Sequence, residues 1–137
     1  MKVLRSLLVI VFIATVFTGC QSYGKRYKLD SKHSVYYKGE GVDEALAKKL
    51  ADYLKANQYF QDSIEATVQI VKVKDTFNLN FVVDAAKLDA ETENSFLLFG
   101  GFISQHVFNK APVTIHLTNN KLEPFKNLGY AKPTEGE

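Results

Sequence analysis

The 137-residue chain has a single cysteine, Cys20, so no internal disulfide can close, and no pair of thiols exists to build a cysteine-based metal site. It has no long hydrophobic run. The longest apolar stretch, Leu7 to Phe17, spans only about 16 Å as a helix, roughly half of a bilayer core. It has little net charge, 17 basic against 15 acidic side chains. No basic stripe with interleaved aromatics appears, so nucleic acid is excluded as an expected partner. The three histidines, His33, His106 and His116, share no metal-ligand spacing, and neither an HExxH nor an EF-hand pattern is present, so no metal and no cofactor is expected. No nucleophile elbow appears, and the glycine pairs do not open a helix after a strand as a phosphate loop must.

The first twenty residues carry an export signal. Lys2 and Arg5 form a basic n-region, Leu7 to Phe17 an apolar h-region, and Thr18 and Gly19 the small residues before a cut. The tetrad Phe17-Thr18-Gly19-Cys20 resembles the lipobox of bacterial lipoproteins, with Phe where that family usually has Leu. The resemblance implies diacylglyceryl transfer to the Cys20 sulfur, cleavage between Gly19 and Cys20, and acylation, typically by palmitate, of the new α-amino group. The membrane is then a partner through lipid on Cys20, since two or more chains at about 0.8 kcal/mol per buried methylene make a stable tether. Gln21, in place of Asp, implies outer-membrane sorting facing the periplasm if the source is Gram-negative.

Removing residues 1–19 also removes Lys2 and Arg5, leaving 15 basic and 15 acidic residues in a nearly neutral chain. With Cys20 lipidated, no thiol remains for catalysis. The expected organisation is a signal peptide over 1–19, the lipidated cysteine and a solvated tether over 20–32, one α+β domain over 33–130, and a loose tail over 131–137.

Within the domain, the β-rich Ser34–Lys38 reads as a strand. A helix is expected from Val42 to Asn57, with Leu46, Leu50, Tyr53 and Leu54 at helical spacing. Ile64–Lys74 and Phe77–Asp84 alternate apolar and polar residues about a turn at Lys74-Asp75-Thr76, which predicts a hairpin of half-buried strands. A second helix opens at Asp89, with Glu91 and Glu93 at the positive end of its dipole. Its stripe is Phe96, Phe99, Ile103 and Val107, widened by Leu98 and Phe102. Gly100-Gly101 in its middle points to close packing on the sheet, or to a hinge. Val113–Thr118 is the last alternating strand, and Phe125, Leu128 and Tyr130 follow as packing residues of the tail.

The order β-α-β-β-α-β predicts a ferredoxin-like fold, an antiparallel sheet with two helices on one face. Val68, Ile70, Phe77, Leu79, Phe81, Ile115 and Leu117 would meet the helices. The candidate interaction face is the other one, carrying Glu65 and the site residues Thr67, Gln69, Asn78, Asn80, Thr114, His116 and Thr118. The segment from Phe81-Val82-Val83-Asp84 through Val107-Phe108-Asn109-Lys110-Ala111-Pro112-Val113 resembles a small domain of bacterial membrane-associated proteins of unassigned function, which implies no chemistry.

The leading expectation is a lipid-anchored, non-enzymatic binding or assembly module with an envelope protein partner. The alternative is a small envelope enzyme, or its accessory subunit, with a non-sequential site at His116, Thr114 and Asn80.

Overall fold

A computed structural model of the chain describes residues 23–133. The signal peptide, the cleavage site at Gly19 and Cys20, and residues 134–137 of the expected tail lie outside the described residues.

Local chemistry sets each element. Asp43 opens helix α1 (Glu44–Ala56), its Oδ1 accepting from the Leu46 amide at 2.9 Å, and this cap starts the helix after Val42. Ala47, Leu50, Ala51 and Leu54 are its buried stripe. Asn57 is the C-cap, donating from its side chain to the Tyr53 carbonyl at 2.9 Å. Helix α2 (Ala90–His106) begins at Asp89, which accepts from the Thr92 amide at 2.8 Å. It runs unbroken through Gly100-Gly101. A Cβ on Gly100 would lie 2.6 Å from Ile115 Cδ1 and 3.0 Å from the Ala131 Cβ, so the glycine allows close approach to the sheet. Leu98, expected to widen the buried stripe, is 59% exposed instead, because the glycine side of α2 has taken the inward position.

Six strands form the sheet: β1 (Lys25–Lys28), β2 (His33–Lys38), β3 (Ala66–Val73), β4 (Thr76–Val82), β5 (Val113–Thr118) and β6 (Pro124–Ala131). They lie side by side in chain order. Pairing alternates, antiparallel for β1–β2, β3–β4 and β5–β6, parallel for β2–β3 and β4–β5. The fold is therefore α+β, and the ferredoxin-like expectation is corrected. In the split arrangement another strand separates the two parallel strands of each βαβ unit. Here those strands are direct neighbours, and the sheet is mixed with two further edge strands.

Those edges account for two more differences. Lys25–Lys28, expected within a solvated tether, pairs with β2, and Pro124–Ala131, expected as tail, pairs with β5. Both are largely exposed, so neither carries the alternation of a half-buried strand. Ala131 is buried in β6, so the ordered domain extends past residue 130.

Ladder register places Val35, Val68, Phe81 and Leu117 on one face with Tyr37, Ile70, Leu79 and Ile115, and these side chains are buried beneath α1 and α2. Two helices on one face is thus the observed arrangement. The β3–β4 hairpin reverses strand direction between the two βαβ units while the sheet keeps growing the same way. The crossovers through α1 and α2 are consequently of opposite hand, and one departs from the strong right-handed preference.

Candidate functional site

Register brings all seven predicted face residues to the side of the sheet opposite the helices. Gln69, Asn80, His116 and Asn127 form one cross-strand row, and Asn78, Thr114 and Tyr130 the next. Thr67 pairs with Ser34, and Thr118 with Val82. The face is less open than its composition suggests. Asn80 donates to the Gln69 Oε1 at 2.7 Å, and Gln69 donates to the Tyr23 carbonyl at 3.1 Å, leaving them 7% and 3% exposed. Thr118 is buried, its hydroxyl facing the Phe81 and Asn119 carbonyls at 3.4 and 3.0 Å. These three hold the sheet together. Thr67, Asn78, Thr114 and His116 are half-buried. Burial lowers the His116 pKa, which favours the neutral ring near neutral pH.

Thr114, His116 and Asn80 are brought together as the alternative reading required, but the Asn80 amide is committed to Gln69. His116 borders none of three clefts near the sheet ends and helices. One, of about 490 Å³, is lined by Tyr59, Ile64, Glu65 and Thr67 among others. A second of about 470 Å³ shares Val82 and Asn120 with it. A third of about 330 Å³ lies between the helices over Phe96 and Phe99. Tyr59 borders the first and third; burial raises its pKa, so its hydroxyl keeps its proton.

The most elaborate polar arrangement surrounds His33, one of the three histidines that share no metal-ligand spacing. His33 is 1% exposed and stacked on Phe60 with ring centroids 4.7 Å apart. Its Nε2 lies 2.8 Å from both the Gln61 and Ile64 carbonyl oxygens, so it must carry a proton and donate. Its Nδ1 lies 2.8 Å from Asp30 Oδ2. Asp30 Oδ1 also accepts from the Lys32 and His33 amides. Burial is the largest single influence on the His33 pKa and pushes it down. The Asp30 carboxylate and the two carbonyls together outweigh it, and the net shift is upward. The hydrogen bond from His33 leads the influences that lower the Asp30 pKa.

A histidine beside an aspartate resembles a catalytic pair. Here the nitrogen that would face a nucleophile is enclosed by two main-chain carbonyls, so the ring cannot take up a proton from substrate. It clamps the β1–β2 turn to the segment between α1 and β3. Asp30, three residues before His33, was the available sequence signal, but nothing in the sequence pointed to Gln61 and Ile64.

Among the described residues, no three His, Cys, Asp or Glu side chains stand together as a metal ion would need. No described helix is long and apolar enough to cross a membrane.

No curated protein and no solved structure matches the chain significantly. A family model described as the AF_1994_N family N-terminal domain matches residues 27–129. That stretch takes in every strand and both helices, with only the outer ends of β1 and β6 beyond it. It amounts to 103 of 137 residues, and the chain belongs to the AF_1994_N N-terminal domain family.

Proposed function

We propose that the protein is a lipid-anchored lipoprotein of the bacterial cell envelope, whose domain is a non-enzymatic binding or assembly module. The observation that carries this reading is the tetrad Phe17-Thr18-Gly19-Cys20, which directly follows an h-region of secretory length. Cys20 is the only cysteine and stands where lipid transfer needs it. Gln21 favours outer-membrane sorting in a Gram-negative host. The occupied ring nitrogens of His33 and the commitment of Asn80 to Gln69 weigh against a hydrolytic role for either group.

The test is incorporation of an alkyne fatty acid into the full chain and into Cys20→Ser in the producing bacterium. The full chain should be labelled and processed, and the variant neither. Equal labelling of both would overturn the anchor. Crosslinking in intact cells, alongside a lipoprotein known to be captured, tests the binding role. Recovery of monomer alone would count against it.

A further inference from the structure

We propose that the helix-free face of the sheet lies against the anionic headgroups of the membrane that holds the lipid. This inference rests on lipidation of Cys20 and adds the orientation of the domain.

The first argument is reach. Tyr23 is already part of the folded domain. Its carbonyl accepts from Gln69, and its ring meets Tyr36 edge-on with centroids 5.6 Å apart. Gly24 follows at φ +85, and any Cβ there would collide with the Tyr37 carbonyl. The chain therefore leaves β1 by a bend that only glycine accommodates, on the side of Tyr36 and Gln69. Three residue steps separate Tyr23 from Cys20 and can span at most about 11 Å. The lipid is thereby held close to this face.

The second argument is charge and side-chain type. Arg26 and Lys28 of β1 and Lys38 of β2 are in register with this face. None of the strand residues in register on this face is acidic, and Glu65, just before β3, is the acid at its border. Arg26 lies over the Tyr36 ring, 5.7 Å from its centroid. Tyr23, Val73 and Tyr130 on the same face are 38%, 50% and 54% exposed. Cations with tyrosines and small polar groups suit the headgroup layer, where the rings sit at the interface and basic side chains meet lipid phosphates. Helix α1 presents Glu44 and Asp52 among its lysines, and α2 presents Glu91 and carries no lysine, which suits the helix side to water.

The chain contains no tryptophan, so one introduced indole reports alone. The lipidated full chain is reconstituted into vesicles of phosphatidylglycerol and phosphatidylcholine in equal parts, with a nitroxide on some of the choline headgroups. The indoles of Tyr130→Trp and Val73→Trp, two sites in case one variant folds poorly, should be quenched at least about twofold more than that of Leu98→Trp on the outer side of α2. Adding Arg26→Glu and Lys28→Glu should reduce that difference.

Equal quenching at the three positions, or stronger quenching of Leu98→Trp, overturns the orientation. So does an indole at position 130 that lipid nitroxide cannot reach but that is shielded from acrylamide, the result expected of a protein partner or a second copy on this face. Fatty-acid labelling of the same preparation separates the two readings. Labelled protein with unquenched sheet positions loses the orientation alone; unlabelled protein loses the anchor, and the orientation with it.

Discussion

His33 Nδ1 and Asp30 Oδ2 stand 2.8 Å apart across a boundary between core and solvent, with the histidine 1% exposed and the aspartate about one-third exposed. The pair makes stability depend on pH from both sides. The His33 pKa is raised on folding, so its contribution is complete below the unfolded value near pH 6.5 and is lost as pH rises through the folded value. The Asp30 pKa is lowered, so its contribution is present above the unfolded value near pH 3.9 and is lost as pH falls through the folded one. Urea midpoints should therefore be higher at about pH 5.5 than at about pH 8.5, and His33→Asn should flatten that difference. The lowered His116 pKa acts with the opposite sign in both proteins, so the comparison between them decides, and an unchanged slope in the variant would sink the assignment.

Gly100 and Ile115 can be tested as a couple. Gly100→Ala gains about 1 kcal/mol of helix propensity but forces a contact whose overpacking typically costs about 1–3 kcal/mol. A net loss of about 1 kcal/mol is expected by equilibrium denaturation. Ile115→Ala removes both atoms in the way, Cδ1 and Cγ1. The double variant should be more stable than additivity predicts, by at least about 0.5 kcal/mol. Strict additivity would mean that the two residues do not meet.

The buried Asn80–Gln69 hydrogen bond should show the asymmetry of polar burial. Asn80→Leu leaves the Gln69 oxygen without its donor, at a cost of about 1–3 kcal/mol. Adding Gln69→Leu should recover part of this loss, although the bond to the Tyr23 carbonyl is then lost as well. Chemical denaturation of the single and double variants decides it, and a double variant worse than the sum of the singles would contradict the pairing.

Leu98 and Ile103 distinguish the two sides of α2. Leu98→Ser should leave stability within about 0.5 kcal/mol of wild type, whereas Ile103→Ala should cost about 3 kcal/mol. Comparable losses at both positions would place Leu98 in the core.

What the sequence disclosed follows from how each residue is exposed. Strands β3, β4 and β5 have one buried face, so Val68, Ile70, Leu79, Phe81, Ile115 and Leu117 could be assigned to it by alternation alone, and they occupy it. The helices were legible from Leu50 and Leu54, from Ile103, and from the caps at Asp89 and Asn57. Edge strands are another matter. Lys25–Lys28 is a polar run whose strand character comes from pairing with β2, a relation between backbones that side-chain pattern does not encode. Neighbour order was equally hidden, because alternation identifies a face and not which strand lies beside which. His33 escaped recognition because its partners Gln61 and Ile64 offer main-chain carbonyls, and any residue type supplies those.

Strand order that follows chain order bears on how the molecule is assembled. Each strand from β2 onward docks beside the one made just before it, and no later strand has to be wedged between two already joined. The three antiparallel closures are short in sequence, whereas the two parallel ones join residues as far apart as Val35 and Val68 or Leu79 and Ile115, and these are the slow steps expected of the assembly. A chain that emerges with its N-terminus leading can build this sheet in the order in which its strands are made, from β1 to β6.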